Sequence, residues 1–445
     1  MIRLSNFNLY PHNKACYEKI KEGFKTSNIV GIVHATGTGK SFNALEYVSD
    51  NTNENILYVV PSLGIIEHLK TIVASSGFDL EKDFPNLKFC TYMSFVNLSR
   101  EELKNIKVDT LILDEFHHLG APVWGARINT LIKTHPNIKV LGMTAYTVRD
   151  RNTPYERDMA NPNTDELFSN HIVSKYDLCD AMVDGVLPKP IYKTAYVNLI
   201  EDVDYLEKRL AKLDHNSSKY IDCEKVLRDV KRQIANALSM KELVNKNLKP
   251  NGKYIYFCPM MSEKNVNDID TIMKEAKGWF LEMGLTEDEI TFYKSTSEMG
   301  TLGRKNREAF YNDIDLDNRD TSNKLRVMFA INQYNEGVHA PNVDGVILGR
   351  GTCSDIVYFE QIGRALAVRG DTEEKLNKLS QMSFEELIAL VRDSKVEIGS
   401  SDTKEDIANK LVSPLIIDLS NNYEYIAELE NDLKDKIRET SLRHS

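Results

Sequence analysis

The sequence contains no run of the roughly 18 consecutive apolar residues that a membrane-spanning helix needs, and it does not open with a basic segment followed by an apolar one. We therefore expect neither a membrane span nor a secretory signal. The six cysteines are widely scattered and include no Cys-x-x-Cys pair, which argues against a zinc site and against a disulfide framework. This pattern fits a reducing compartment and predicts a cytoplasmic protein.

The chain also lacks an excess of basic residues, since 56 lysines and arginines stand against 66 aspartates and glutamates and give a net charge of −10. That balance argues against a nonspecific polycationic coat. It leaves nucleic acid open as a partner, because a local groove can be basic while the outer faces are acidic. With 445 residues, 42% of them hydrophobic, the chain is long enough for two or three globular domains.

One stretch, residues 29–48 (IVGIVHATGTGKSFNALEYV), predicts a phosphate-binding loop between a buried strand and a helix. Glycines in the turn let successive backbone N–H groups converge on an anion, and the helix N-terminus adds partial positive charge. Lys40 is then placed to reach the β- and γ-phosphates of a nucleoside triphosphate, and the Ser41 hydroxyl to bind Mg²⁺. The predicted nucleotide-binding residues of the turn are Thr36, Gly37, Thr38, Gly39, Lys40 and Ser41.

Two carboxylates, Asp114 and Glu115, directly follow a predicted apolar strand at residues 111–113. Buried carboxylates are costly unless a cation or hydrogen bonds compensate, and Mg²⁺ bound to ATP would compensate here. Asp114 would then hold the metal through water, while Glu115 would orient and deprotonate the attacking water. An acidic loop without a catalytic role is the alternative, which the upstream phosphate-binding lysine disfavours.

Two residues upstream of the loop are candidates for binding an adenine ring. Tyr10 is placed to stack on the ring, and Asn13 to hydrogen-bond its edge. A simple cap on the helix predicted at residues 10–24 is the alternative interpretation.

The second half of the chain repeats the alternation of apolar strands and amphipathic helices found in the first 150 residues. This alternation predicts an α/β protein with two parallel-sheet domains, at residues 1–150 and 251–430, joined by a linker with a helical insertion at 151–250. In the second block, Arg364 is the candidate for stabilising charge on the γ-phosphate in the transition state. A solvated surface arginine is the alternative.

The segments ATGTGKS, DEFH, TAYT, NEGVH and QIGRAL, in this order and spacing, resemble motifs I, II, III, V and VI of superfamily 2 helicases. The DExH form is the most similar, as in the helicase subunits of type I and type III restriction enzymes and related bacterial and phage proteins. The resemblance implies two RecA-like domains of the P-loop NTPase class that close over ATP and Mg²⁺, with nucleic acid crossing both domains. It also implies roles in nucleotide sensing for Gly337, in coupling for His117, Thr144, Glu336 and Gln361, and in nucleic-acid contact for Pro61, Ser62, Thr91 and Tyr92.

Three positions depart from the pattern of that family. Asn13 stands where the family often has an adenine-reading glutamine, and Glu360 stands where motif VI usually opens with glutamine or histidine. Ala367 occupies the position of the last arginine of motif VI, and Arg369 is a candidate to replace it. These departures leave open a slow or partner-dependent hydrolysis.

The resemblance predicts an ATP-dependent helicase or translocase and favours DNA over RNA as its track. The alternatives are an RNA helicase and an ATP-gated nucleic-acid-binding subunit of a defence or restriction complex with weak hydrolysis. Because no nuclease pattern is visible, cleavage would need a protein partner. Residues 371–412 predict a helical insertion that either is similar to SAP-type DNA-binding modules or only packs or binds a partner, and residues 423–445 predict a C-terminal helix.

Overall fold

The computed structural model describes residues 9–120, 122–145, 167–194, 199–213, 217–235, 240–259, 269–296, 299–331, 340, 342–349, 355–366, 370–394, 396–420 and 422–443. The chain divides into two units. The first unit contains the described residues of 1–187 and 432–443, and the second contains those of 188–431.

The first unit is built on a sheet of six parallel strands in the order β3-β2-β4-β5-β1-β6. The strands are β1 (Ile29–His34), β2 (Ile56–Val60), β3 (Leu87–Thr91), β4 (Thr110–Asp114), β5 (Lys139–Thr144) and β6 (Ile172–Tyr176). Since parallel strands bring all their carboxyl ends to one edge of the sheet, the residues that follow β1, β4 and β5 lie close together there.

Helices cover both faces of this first sheet, as expected for strands that are apolar on both sides. The helices are α1 (Pro11–Thr26), α2 (Lys40–Asp50), α3 (Leu63–Ser75), α4 (Leu80–Asp83), α5 (Tyr92–Val96), α6 (Arg100–Asn105), α7 (Pro122–Thr134) and α8 (Leu178–Val183). Ile112 of β4 belongs to the apolar core that includes residues of α1, α2 and α3. Its neighbours Leu111 and Leu113 point to the opposite face and pack in a second core, together with residues of α5 and α7.

The structure differs from the predicted domain boundary at residue 150, because β6 lies inside the segment predicted to be a linker. This strand pairs with β1 and completes the edge of the first sheet. Only Ser174 is buried among its five residues, so the strand offers no apolar run that a sequence pattern would reveal. The strand β7 of the second sheet also lies within the predicted linker, and none of its residues is fully buried.

The second unit is built on another sheet of six parallel strands, in the order β7-β12-β11-β8-β10-β9. Its strands are β7 (Ile191–Thr194), β8 (Lys253–Phe257), β9 (Ile290–Ser295), β10 (Leu325–Ala330), β11 (Gly345–Leu348) and β12 (Leu415–Asp418). The helices after β7 are α9 (Leu199–Leu210), α10 (Ser218–Ala235), α11 (Met240–Asn247), α12 (Ile269–Glu282), α13 (Gly300–Tyr311), α14 (Asp355–Gly363), α15 (Gly370–Gln381), α16 (Phe384–Ser394), α17 (Lys404–Val412) and α18 (Tyr423–Arg443).

The predicted helical insertion has a small core of its own. Leu387 and Val391 of α16 pack against Ile407 of α17, and Leu379 of α15 lies at the margin of this cluster. The similarity to SAP-type modules stays a prediction. Within the described ranges, no helix is both long enough and apolar enough to cross a membrane.

Candidate nucleotide site

The loop between β1 and α2 has the backbone conformation that its glycines allow. Gly37 and Gly39 both have a φ of 85°, in the left-handed region that favours glycine. Thr38 is fully buried and donates from Oγ1 to the Ala35 carbonyl at 2.7 Å, which tightens the turn. The helix α2 begins at Lys40, directly after Gly39. The loop therefore presents a helix N-terminus and a lysine, the elements that hold phosphate groups.

Asn13 stabilises the backbone of this loop, whereas the sequence analysis predicted that it contacts adenine. Its Nδ2 donates to the Thr38 carbonyl at 3.0 Å, and its Oδ1 accepts from Nδ2 of Asn43 at 3.2 Å. The side chain is fully buried, so it offers no free edge to an adenine ring. A Cβ on Gly39 would lie 2.8 Å from Asn13 Nδ2, so this position has no room for a larger residue. The predicted contact with adenine is thus replaced by a contact with the loop.

An aromatic stack lies beside the loop and is formed by Tyr10 and by two residues that the sequence analysis missed. The His12 ring stacks with Tyr10 at 5.9 Å between centroids and with Tyr176 of β6 at 5.1 Å. Nε2 of His12 donates to the Thr38 carbonyl at 2.8 Å, the same acceptor that Asn13 uses. Tyr10 is 40% exposed, so its ring remains accessible and its adenine stacking stays a prediction. The aromatic character of His12 next to Tyr10 was the signal available in the sequence.

Glu115 lies at the carboxyl edge of the sheet, opposite the loop lysine. Its Oε1 is 3.6 Å from Nζ of Lys40, and both side chains are largely buried. Glu115 has a φ of 49°, a left-handed conformation that costs about 1–2 kcal/mol for a residue with a Cβ. Its carboxylate accepts hydrogen bonds at Oε2 from Thr144 Oγ1 at 3.2 Å and from the Ala145 backbone N–H at 3.3 Å. These contacts hold the carboxylate in place despite the strained backbone.

His117 extends this hydrogen-bonded chain. Because Thr144 donates its hydroxyl proton to Glu115, the Thr144 oxygen accepts from Nδ1 of His117, at 2.8 Å. Nδ1 of His117 also lies 3.4 Å from Oε2 of Glu115. The structure thus brings Lys40, Glu115, His117 and Thr144 together, although they come from three separate segments of the chain.

The oxygen donors that Mg²⁺ prefers are present beside the loop. Asp114, the last residue of β4, is buried, and Ser41 lies in the first turn of α2. The fully buried Tyr58 lies near both, with its hydroxyl beside that of Ser41. Burial and the Asp114 carboxylate hold the pKa of Tyr58 well above its ordinary value, so its hydroxyl keeps a proton to donate. A hydroxyl, a carboxylate and a second hydroxyl that can bond a metal-bound water fit Mg²⁺, which keeps several waters. Tyr58 is a further residue that the sequence analysis did not identify.

The residues predicted to contact nucleic acid divide into two groups. Pro61 and Ser62 lie half-buried between β2 and α3, with Ser62 as the residue before the helix. Thr91 and Tyr92 are instead buried. Thr91 Oγ1 accepts from the Ser94 backbone N–H and so caps α5.

Tyr92 points into the first unit. Its hydroxyl donates to the Asp114 carbonyl at 2.9 Å, and its ring stacks on Trp124 at 5.2 Å. The predicted direct contact of Tyr92 with nucleic acid is therefore corrected to a contact with the backbone of Asp114. The ring of Tyr92 packs against the partly buried Trp124, a contact that the sequence alone does not reveal.

The predicted residues of motif VI lie in and just after α14 of the second unit. Glu360, Gln361 and Arg364 are all buried, and the Arg364 backbone N–H donates to the Gln361 carbonyl at 3.3 Å. The surface-arginine alternative for Arg364 is therefore wrong. The motif V residues Glu336 and Gly337, and also Ala367 and Arg369, lie outside the described residues.

Comparison with known proteins finds a family that matches the first part of the chain and a relative that matches most of its length. Residues 6–149 match the family described as "Type III restriction enzyme, res subunit". A viral protein named "Putative helicase 22", from Sulfolobus islandicus filamentous virus (isolate Iceland/Hveragerdi), is 22% identical over 392 residues. The aligned part covers 82% of this chain and 63% of the viral protein, so the chain spans less than two thirds of that relative.

Two solved structures have a similar fold. A fragment described as "a putative HsdR subunit of a type I restriction enzyme from Vibrio vulnificus YJ016" aligns with a TM-score of 0.52 and 17% identity, covering 92% of this chain and 63% of that one. Mss116p bound to ssRNA and AMP-PNP aligns with a TM-score of 0.50 and 13% identity, covering 95% and 72%. These likenesses confirm the predicted fold of two tandem RecA-like α/β units.

Proposed function

We propose that this chain, a superfamily 2 helicase-like protein related to restriction-enzyme subunits, is an ATP-dependent motor that acts on nucleic acid. The observation that carries the proposal is the distance of 3.6 Å between Glu115 Oε1 and Lys40 Nζ. Hydrogen bonds that run from His117 to Thr144 and from Thr144 to Glu115 hold the carboxylate in this position. A carboxylate held beside a phosphate-binding lysine is the arrangement needed to orient a water that attacks the γ-phosphate.

Each residue of the site has a defined task in this proposal. Lys40 binds the β- and γ-phosphates, while Ser41 and Asp114 hold Mg²⁺, which neutralises charge on the phosphates when it is bound. Glu115 accepts the proton of the attacking water. Arg364 has the role that the resemblance implies for it, stabilising charge on the γ-phosphate in the transition state.

Hydrolysis coupled to movement requires that the state of the nucleotide reaches the nucleic-acid surface. His117 and Thr144 join the carboxylate of Glu115 to the end of β5, and Tyr92 joins α5 to the backbone of Asp114. Both connections link the candidate catalytic carboxylates to segments at the same edge of the first sheet. These hydrogen bonds support the proposed coupling.

DNA is the favoured track of this proposed motor. The matched family and the Vibrio vulnificus relative bear the names of restriction-enzyme subunits, whereas Mss116p was solved with single-stranded RNA. A partner that supplies a nuclease is part of the proposal for a restriction-related chain. An RNA helicase, and an ATP-gated subunit with weak hydrolysis, are the outcomes that the experiment below separates from it.

The test is ATP hydrolysis by the purified protein and by Glu115→Gln, without nucleic acid and with double-stranded DNA, single-stranded DNA or RNA. We expect strong stimulation by DNA that is lost in Glu115→Gln. Glu54→Gln is the matched control, because Glu54 is a partly buried carboxylate that pairs with Lys139 at 2.6 Å, at the amino-terminal edge of the same sheet. Stimulation by RNA alone would establish an RNA-dependent enzyme, and ATP binding without any stimulation would contradict the motor.

A further inference from the structure

Asp418, the last residue of β12 in the second unit, is a fully buried carboxylate that hydrogen bonds hold in place. Its Oδ1 accepts from the Ser420 backbone N–H at 2.9 Å and from Asn422 Nδ2 at 3.1 Å. Its Oδ2 accepts from the Asn422 backbone N–H and from the Tyr192 hydroxyl. Burying a carboxylate is costly unless donors of this kind compensate, and together they hold it in one orientation.

The strand register places Tyr192 and Asp418 on the same face of the second sheet. Tyr192 of β7 pairs with Ile416 of β12, two residues before Asp418, and alternate residues of a strand share a face. The intervening residues of β12, Leu415 and Ile417, pack in the core that includes residues of α12. Tyr192 and Asp418 therefore point to the face opposite that core.

Tyr358 of α14 lies on this same face and extends the hydrogen-bonding groups to the helix. It is fully buried, and its hydroxyl lies beside that of Tyr192 and near Asp418. Because Tyr192 donates its proton to Asp418, its oxygen is left to accept. Burial and the Asp418 carboxylate hold the pKa of Tyr358 well above its ordinary value, so its hydroxyl keeps a proton to donate. The ring of Tyr358 also packs on that of Tyr425, with 5.1 Å between their centroids.

The helix that contains Tyr358 also contains or immediately precedes the candidate residues of motif VI. Glu360 and Gln361 follow Tyr358 on α14, and Arg364 comes directly after the helix ends at Gly363. All three are buried, and the Arg364 backbone N–H donates to the Gln361 carbonyl. A rotation of α14 about its axis would move these side chains with it. Because a misplacement of about 1 Å at a reacting group can lower a rate about 100-fold, the rotation of α14 bears on the role implied for Arg364.

We propose that Asp418 is a positioning residue, which through Tyr192 and Tyr358 fixes the rotation of α14 and thereby the place of the Arg364 guanidinium. The inference deepens the proposed function and rests on the role of Arg364 in it. Apolar packing alone would bury α14 equally well but would tolerate small rotations, because hydrophobic contacts have no direction. Hydrogen bonds are directional, so a buried network of them selects one arrangement of the helix.

The test compares Tyr192→Phe with Tyr293→Phe as its matched control. Tyr192→Phe keeps the ring and removes the hydroxyl that lies between Asp418 and Tyr358. Tyr293 is a buried tyrosine of β9 in the same unit, and its hydroxyl donates to the Ile314 carbonyl at 2.8 Å, away from α14. Tyr358→Phe is the second variant, because it removes the hydroxyl on the helix and leaves the hydrogen bonds of Asp418 intact if Tyr192→Phe does not fold by circular dichroism.

The first readout is ATP hydrolysis at a saturating concentration of the nucleic acid that stimulates it. In Tyr192→Phe and Tyr358→Phe, kcat should fall about tenfold, the factor that one hydrogen bond is worth. The KM for ATP should change by less than about twofold, because Lys40 and its loop bind the phosphates in the first unit. Tyr293→Phe should keep the kcat of the unmodified protein although it also loses a buried hydrogen bond.

The second readout is hydrogen exchange followed by mass spectrometry, which does not depend on turnover. The backbone amides of residues 355–363 should exchange about tenfold faster in Tyr192→Phe, because the helix is held less firmly, and at an unchanged rate in Tyr293→Phe.

Three results would overturn the inference. An equal fall of kcat in Tyr293→Phe would show that any loss of stability in the second unit has the same effect. An unchanged kcat in the folded variants, with or without faster exchange, would make the network purely structural, and a raised KM with an unchanged kcat would place its effect on nucleotide binding. In each of these cases hydrolysis by the unmodified protein leaves the proposed motor intact, whereas no hydrolysis by the unmodified protein with any nucleic acid would contradict both.

Discussion

Replacing Glu115 by glutamine should tighten the binding of ATP while it removes hydrolysis. The Glu115 carboxylate lies 3.6 Å from Nζ of Lys40, and the exposed fractions of the Glu115 and Lys40 side chains are only 15% and 9%. The carboxylate therefore competes with the phosphates for the lysine and also repels them. Glutamine keeps an oxygen that can accept from Thr144 and from the Ala145 backbone, so the geometry of the site should persist.

The size of the effect follows from the distance between the two charges. Unit charges 3.6 Å apart attract by about 4–5 kcal/mol at an effective dielectric constant of about 20. Desolvation of the pair cancels most of this attraction, and we expect about 1–2 kcal/mol to remain. Because 1.4 kcal/mol corresponds to about tenfold in affinity, Glu115→Gln should bind ATP about 5- to 30-fold more tightly.

The assay is an equilibrium titration with a fluorescent ATP analogue and Mg²⁺, in the absence of nucleic acid. Glu54→Gln again serves as the control, since its carboxylate pairs with Lys139 away from the loop, and its affinity for the analogue should be unchanged. Equal or weaker affinity in Glu115→Gln would refute the reasoning, because it would mean that the carboxylate does not oppose the phosphates.

Three further predictions concern the residues that support the site. Asn13→Ala should destabilise the first unit by about 2 kcal/mol in urea unfolding, because it removes two buried hydrogen bonds and leaves the amide of Asn43 without its acceptor; unchanged stability would contradict this role. Tyr92→Phe should cost about 1 kcal/mol in the same assay, through loss of the hydrogen bond to the Asp114 carbonyl, and an unchanged stability of Tyr92→Phe beside a large loss in Tyr92→Ala would show that the ring rather than the hydroxyl matters. Burial, together with nearby Lys40, lowers the pKa of His34 from 6.5 to about 3, so between these pH values the unfolded chain binds a proton that the folded chain does not. Stability should therefore fall with falling pH by up to about 1.4 kcal/mol per unit, and His34→Asn should flatten this slope in unfolding measured from pH 7.5 to 5.

The candidate nucleotide site was predictable because its signals are local in the sequence. The two glycines of the loop, the lysine that follows them and the paired carboxylates after β4 each lie next to a strongly apolar strand. Strand, turn and helix then fix the positions of Lys40 and Glu115 with little dependence on the rest of the chain. The parallel order of the strands brings the two residues to one edge of the sheet.

The supporting contacts were less predictable because they depend on where side chains meet in three dimensions. Asn13 and Tyr92 each had a polar group that a ligand could use, and the sequence gives no sign that the Thr38 and Asp114 carbonyls take up these groups. The contact of Asn13 with Asn43 joins residues 30 positions apart. Only the packed fold shows that these side chains turn inward.

The edge strands were missed for a related reason. A strand at the edge of a sheet has one neighbour and is partly exposed, so it needs no continuous apolar run. The residues of β6, 172–176, alternate only weakly between buried and exposed positions. The sequence analysis therefore assigned this segment to the linker.

The measurement that tests the central claim most directly is the dependence of the ATPase rate on the length of the nucleic acid. At saturating concentration of single-stranded DNA, a motor that moves along its track spends more time hydrolysing ATP per binding event on longer strands. We predict that the steady-state rate per protein molecule rises with strand length and then levels off, and that Glu115→Gln shows no rate at any length. A rate that is stimulated but independent of length would contradict movement and would identify an ATP-gated clamp instead.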